Sequence, residues 1–181
     1  MQSETTNKKH VKNCFEWAQI ICGTVVFITC LYVFAFRMVD VHGSSMEQTL
    51  SNGERLLLSS LPYTPAYEDI VVIDRGDNQE PLIKRVIGLP GDTIYVDADT
   101  GDVYRNNALL EEPYIVVPTA AEQMREPVTV PAGQVFVMGD NRAFSQSLDS
   151  RTFGCVDRDA IVGKTFYRLF PMERMGGLYN D

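Results

Sequence analysis

This chain is nearly without histidine. Of its 181 residues only His10 and His42 are histidine, and a long apolar run separates His10 from most of the chain. His42 stands three residues before Ser45, and in an extended segment an odd separation puts two side chains on opposite faces. A Ser-His-Asp triad is close to excluded by counting. Cysteine is equally sparse: Cys14, Cys22 and Cys30 lie in or beside the apolar run, leaving Cys155 alone beyond it. One cysteine cannot close an internal disulfide, and Cys155, beside Phe153 and Val156, reads as a small core residue. No Cys or His pair has zinc spacing and no H-E-x-x-H is present, so neither a metal nor another cofactor is expected. Lysine is scarce as well, with only Lys84 and Lys164 after the apolar run.

The run itself, residues 17–36, holds no charged side chain over twenty positions. At about 1.5 Å per residue a helix of that length reaches roughly 30 Å, the thickness of a bilayer core. Lys8, Lys9 and Lys12 precede it and Arg37 alone follows closely. That asymmetry predicts a cytoplasmic tail (1–16), a single-pass anchor in the cytoplasmic membrane (17–36) and an extracytoplasmic domain (37–181). The rival is a cleavable signal peptide ending near Val33-Phe34-Ala35, but such h-regions usually run about 7–15 residues. The tail through Glu16 carries three Lys and two Glu, and Arg37 adds one more positive charge. Of the net −8, residues from 38 onward therefore hold −10. An acidic domain is a poor partner for nucleic acid or anionic lipid, and solubility explains its charge. A monomer is expected.

Beyond residue 36 the pattern is of short strands. Arg55-Leu56-Leu57-Leu58, Asp69-Ile70-Val71-Val72-Ile73, Thr93-Ile94-Tyr95-Val96 and Gln134-Val135-Phe136-Val137-Met138 are aliphatic, β-branched and bounded by turn residues. Residues 103–109 predict a hairpin turning at Asn106-Asn107. The only helical pattern is a turn or two at 158–161. The expected fold is mostly β: coiled antiparallel sheet, with residues 97–131, more polar and holding Pro113, Pro118 and Pro127, as a small inserted β subdomain, all preceded by one transmembrane helix.

With a Ser-His-Asp triad close to excluded, the base for a nucleophile is sought elsewhere. Arginine cannot serve, because its pKa is above about 12. In a strand over 82–86, Leu82, Lys84 and Val86 share one face. Burial on such a face can lower a lysine pKa by up to about 3–5 units, enough to take a serine proton near neutrality. The commoner fate of such a lysine is to snorkel to water. Gly43-Ser44-Ser45-Met46 offers two serines beside a glycine that permits close backbone approach, with the Ser45 amide as an oxyanion donor. It also reads as a plain turn, and spacing does not choose between Ser44 and Ser45.

Longer motifs do. Ser45-Met46-x-x-Thr49-Leu50, Gly53-Glu54-Arg55 with Glu68-Asp69-Ile70-Val71-Val72, Lys84-Arg85-Val86-Ile87-Gly88-Leu89-Pro90-Gly91-Asp92, Glu112-Pro113-Tyr114, Val130-Pro131-x-Gly133, Gly139-Asp140-Asn141-Arg142 and Ser147-Leu148-Asp149-Ser150-Arg151 with Gly154 follow in order. In that order behind an apolar anchor the chain resembles the bacterial type I signal peptidases, membrane-anchored Ser-Lys endopeptidases. The resemblance implies Ser45 as nucleophile, Lys84 as general base and Ser147 as a hydrogen-bond partner orienting the lysine. It implies that Asp149, Arg151 and Asp140 support Ser147's loop. Secretory preproteins are then the substrates, cut after small residues of the Ala-x-Ala type. Shallow apolar pockets involving Val41, Met46, Leu50 and Ile83 would select them.

Three positions depart from the family pattern. Gln48 replaces the proline of S-M-x-P-T-L, which frees φ and adds a backbone donor. Four residues, 143–146, stand where two are usual, so either they bulge outward or Ser145 takes the place of Ser147. Gly43 occupies the position where some members carry a serine as second oxyanion donor. Two rival functions remain: a non-catalytic, membrane-tethered assembly factor for surface proteins, and an autoprotease of the stress-repressor kind. The anchor and the lack of a DNA-binding segment disfavour the latter.

Overall fold

The computed structural model describes residues 2–76, 79–122 and 124–179, with side chains from residue 13 onward except at 14 and 31. Lys8, Lys9, Lys12, His10 and Cys14 therefore lie outside the described side chains. The chain divides into two compact units, Met1–Phe36 and Arg37–Asp181. The first is one helix, α1 (Gln2–Ala35), in which Phe15–Ala35 is long and apolar enough to cross a membrane. Thr24 and Thr29 donate their hydroxyls to the carbonyls of Ile20 and Val25 at 2.8 Å, so these polar groups are satisfied within the span.

In chain order the rest comprises β1 (Phe36–Asp40), β2 (Arg55–Ser59), β3 (Ile70–Ile73), β4 (Leu82–Gly88), β5 (Thr93–Val96), β6 (Val103–Arg105), β7 (Ala108–Leu109) and β8 (Val128–Thr129). Then come β9 (Gln134–Met138), the short helix α2 (Ser150–Phe153), β10 (Val156–Asp157), β11 (Ile161–Phe170) and β12 (Gly176–Gly177). Among the described residues these strands form two sheets. The larger has the order β1-β2-β11-β3-β4-β9-β10, with β12 added to β11; the smaller is β7-β6-β5-β8. From β2 to β10 the pairings of the larger sheet are antiparallel.

The hairpin at 103–109 turns at Asn106 and Asn107, with φ of 54° and 65°, the double positive φ that a two-residue loop needs to match strand twist. The smaller sheet takes in β5, ahead of the polar stretch 97–131, because Ile94 and Val96 bury inward beside Val103 and Val130. The longest strand, β11, was not expected. Bulges between Thr165 and Tyr167 and between Arg168 and Phe170 break its alternation, so period-two patterning does not reveal it.

Strand β4 meets all three core clusters. Ile83 joins Val41, Met46, Leu50, Leu56 and Ile70; Val86 joins Val71, Val135 and Val137; Ile87 joins Ile94, Phe136 and Met138. It is buried from Ile83 to Gly88 on both faces. A polar side chain on this strand leaves water wherever it points, which fixes the chemistry of Lys84 and Arg85.

Candidate active site

The loop between β1 and β2 is pinched at its base: the Val41 amide donates to the Glu54 carbonyl at 2.8 Å and the Gly53 amide to the Val41 carbonyl at 2.9 Å. Gly43, at φ +82°, gives its amide to the Asn52 side chain at 2.9 Å. The next residues wind into turns. Glu47 donates to the Ser44 carbonyl, and both Thr49 and Leu50 donate to that of Met46, at 2.8–3.1 Å. Winding carries Met46 and Leu50 into the core and leaves the Ser45 side chain half-buried on the opposite side. Asn141 holds the turn from outside, its amide on the Ser45 carbonyl at 3.0 Å and its side chain on the Ser44 carbonyl at 3.1 Å.

Lys84 Nζ donates to Ser45 Oγ at 2.6 Å and to the Ile83 carbonyl at 3.0 Å. The lysine is 1% exposed. Burial lowers its pKa to about 8; Asp149 and Asp140 push the other way, while Arg151 and Arg75 reinforce the drop. Ser44, the other serine, is exposed. Lys164, the other lysine, ion-pairs with Asp69 at 2.5 Å. Beside Ser45 and Lys84 lies a cleft of about 40 Å³ whose walls include Val41, His42, Met46, Leu82 and Ile83. Leu50 does not line it. At the end of the turn it is fully buried against Leu56 and Ile70, a core residue rather than a pocket wall.

Two buried ion pairs stand beneath the serine and lysine. Asp149 receives Arg151 Nε at 2.9 Å and Nη2 at 2.8 Å, and the Gly139 amide at 2.9 Å. Burial would raise the Asp149 pKa, but Arg151, Ser147 and the Gly139 amide together hold it below the usual carboxylate range. Asp149 also caps α2 through the Arg151 amide. Asp140, expected in the same network, pairs instead with Arg85, Nε at 2.9 Å and Nη2 at 2.6 Å, and accepts the Thr49 hydroxyl at 2.5 Å. It thus ties the serine turn to β4. The reason is strand alternation: Arg85 projects from the face opposite Lys84.

Ser147 is buried with its hydroxyl beside Asp149, whose charged form it favours. The expected bond to Lys84 is not formed; Nζ donates to Ser45 Oγ and to the Ile83 carbonyl. Ser147 nevertheless packs against Gly139, where an added Cβ would overlap both its hydroxyl and the Ser45 carbonyl oxygen. Only glycine allows the two segments this approach. Residues 143–146 bulge outward: Phe144 and Ser145 are exposed, and the Ser145 amide donates to Glu122 at 2.6 Å. Ser145 does not replace Ser147.

A scan against protein families matches residues 14–170 to the family described as signal peptidase, peptidase S26. Signal peptidase I of Bacillus licheniformis is 35% identical, over 96% of this chain and 97% of its own length. Signal peptidase I T of Bacillus subtilis is 36% identical, over 96% of this chain and 94% of its own. A solved signal peptidase I from Enterococcus faecalis is 32% identical, with a TM-score of 0.46 over 56% of this chain and 97% of that one.

The chain belongs to the signal peptidase S26 family.

Its function is accordingly that of a signal peptidase I, a membrane-associated hydrolase. Sequence reasoning gave no role to several residues that hold this peptidase's site. Arg142, fully buried, grips Glu112 with two nitrogens at 2.9 and 2.5 Å and donates to the Gly139 carbonyl at 2.7 Å. Tyr114 donates to Glu112 at 2.8 Å and lies 3.9 Å from the Arg85 guanidinium, joining the two arginines. Arg168 donates to the Thr49 carbonyl at 2.6 Å and to Glu54 at 2.7 Å. Most of these residues stand inside the quoted motifs, which was the signal available. Their pairings depend on which distant segments meet.

Proposed function

We propose that the chain cleaves signal peptides from exported preproteins with Ser45 as nucleophile and Lys84 as general base, its domain facing the outside of the membrane. The observation that carries this reading is the 2.6 Å contact between Ser45 Oγ and a lysine removed from water. Neutral Lys84 takes the Ser45 proton as Oγ attacks the scissile carbonyl. The oxyanion forms near the Ser45 amide, which donates to no acceptor among the described residues. Lys84 then gives the proton to the departing amine, leaving an ester on Ser45. Water, deprotonated by the same lysine, attacks the ester and releases the acid and free serine.

Small-residue specificity has a physical basis in the cleft's walls: Val41, Met46, Leu82 and Ile83 close an apolar surface beside Ser45 that favours a short apolar side chain. The β4–β9 ladder begins at Arg85, so residues 82–84 pair on one side only, with β3. An extended substrate adds as a strand along that edge.

The test is cleavage of a preprotein carrying an Ala-x-Ala site by the full chain in detergent. Ser45→Ala and Lys84→Ala should each abolish cleavage at the expected bond. An inert wild type would favour the non-catalytic assembly factor. Activity in Ser45→Ala would remove the nucleophile assigned here.

A further inference from the structure

β11 parts from β3 at one step, and the parting is bridged by side chains. Their ladder runs through Ile161 with Ile73, Gly163 with Val72 and Lys164 with Val71, then stops. The next residues, Thr165 and Ile70, are joined indirectly. The Ile70 amide donates to the Tyr179 hydroxyl at 2.8 Å, that hydroxyl donates to the Thr165 carbonyl at 2.9 Å, and Thr165 Oγ1 donates to the Ile70 carbonyl at 3.0 Å. Tyr179 comes from the segment after β12, which is anchored by pairing with Tyr167 and Arg168 and by the Leu178 amide on the Phe166 carbonyl at 3.1 Å. Phe166 is the extra residue of the bulge between Thr165 and Tyr167. One oxygen atom thus satisfies an amide and a carbonyl that no ladder pairing joins.

The position of this bridge matters. Across the other edge of β3, Ile70 pairs with Arg85 and Val71 with Lys84. Leu178 and Tyr179 pack on the cluster that contains Val41, Met46 and Ile83, the apolar walls of the cleft. The ring of Tyr179 also lies 4.4 Å from Lys164 Nζ, which pairs with Asp69, the residue preceding β3.

We propose that Tyr179 is a positioning residue for the peptidase reaction: its hydroxyl fixes the separation of β11 and β3, and through the β3–β4 register the placement of Lys84 against Ser45. This rests on the reading of Ser45 and Lys84 as the reacting pair. Tyr179 touches neither substrate nor reacting atoms. Without the hydroxyl, Ile70 and Thr165 must either close on each other or admit water. Either movement shifts the backbone that aims Lys84.

Tyr179→Phe removes the oxygen and keeps the ring. Its partner variant, Leu178→Ala, trims the same segment's packing and keeps the bridge. Both are compared with wild type on the Ala-x-Ala preprotein, at a temperature where each is fully folded by circular dichroism. Tyr179→Phe should lower kcat roughly tenfold or more with KM within about twofold, since misplacement of a reacting group by a fraction of an ångström falls on the chemical step. The acid limb of its kcat/KM profile should move to higher pH as water reaches Lys84. Leu178→Ala should lose stability but keep kcat and the limb. Amide exchange at Ile70 should quicken by at least about tenfold in Tyr179→Phe. Unchanged kcat and limb in Tyr179→Phe, or equal changes in Leu178→Ala, would overturn the proposal, and so would unchanged Ile70 exchange. Ile70 exchange does not depend on catalysis, and Ser45→Ala and Lys84→Ala test the reacting pair separately. Failure of one reading is thereby distinguished from failure of the other.

Discussion

Replacing the buried lysine by methionine should make this protein more stable, and by an amount that depends on pH. Lys84 is held at a pKa of about 8, against an ordinary lysine value of 10.5, chiefly by burial. A group whose charged form is disfavoured on folding opposes folding wherever the unfolded chain is protonated. Between about pH 8 and 10.5 the unfolded state binds more protons, so stability rises with pH across that window. Below pH 8 both states are protonated and the penalty is constant. At 1.36 kcal/mol per unit the difference comes to roughly 3 kcal/mol at pH 7. Methionine matches the length of the lysine stem and carries no charge, so Lys84→Met should recover most of this amount. The half-buried Ser45 hydroxyl can still turn to water. Urea denaturation of the full chain in detergent, at pH 7 and pH 10.5, measures the effect. The variant should be about 2–3 kcal/mol more stable at pH 7, the gain shrinking to under about 1 kcal/mol at pH 10.5, while being inactive at both. A variant no more stable than wild type at pH 7, or a gain of equal size at both pH values, would refute burial as the cause.

Other consequences are as direct. If neutral Lys84 is the base, kcat/KM should fall about tenfold per unit below pH 8 and level off above it. His42→Ala should leave that limb in place; loss of the limb in His42→Ala would point to the histidine. Gly139→Ala forces a methyl against Ser147 and the Ser45 carbonyl, so it should cost about 1–3 kcal/mol in thermal or urea melts and lower kcat, with no change for an alanine on the surface loop 143–146. Gln48 sits at φ +85°, a conformation costing a non-glycine residue about 1–2 kcal/mol. Gln48→Gly should therefore match or exceed wild-type stability. Gln48→Pro, with φ locked near −65°, should destabilise the turn despite restoring the family's motif. Asp140→Asn leaves Arg85 buried without its carboxylate and should cost about 3–5 kcal/mol, with Thr49 and the serine turn loosened together.

Much of this was legible in the sequence because it is local. The apolar run, the short strands and the Asn106-Asn107 hairpin follow from periodicity and backbone preference. Elimination narrowed the candidates to a few serines and two lysines, and only the ordered motifs pointed to Ser45 and Lys84, the pair that the fold brings into contact. What failed has a common cause. β11 was missed because its bulges break the alternation on which strand reading depends. Leu50 was placed in the pocket because its motif is contiguous with Ser45, whereas the turn at 46–50 rotates it into the core. Asp140 was grouped with Asp149 and Arg151 on the resemblance, but its partner, Arg85, is 55 residues away.

The sequence by itself narrowed the chemistry: a Ser-His-Asp triad close to excluded, and one lysine on an apolar strand after a serine turn. It also determined that a membrane-length helix precedes a β domain. Only the tertiary structure decided that Lys84 is out of water and within hydrogen-bonding distance of Ser45. The reason is that burial and contact belong to the meeting of segments distant in the chain. The turn at 44–50 is held by Asn141, Asp140 and Arg168, and β4 by neighbours on both faces. A lysine's pKa, and hence whether it can act as a base, is set chiefly by burial and by charged groups such as Asp149, Asp140 and Arg151 that are distant in the sequence.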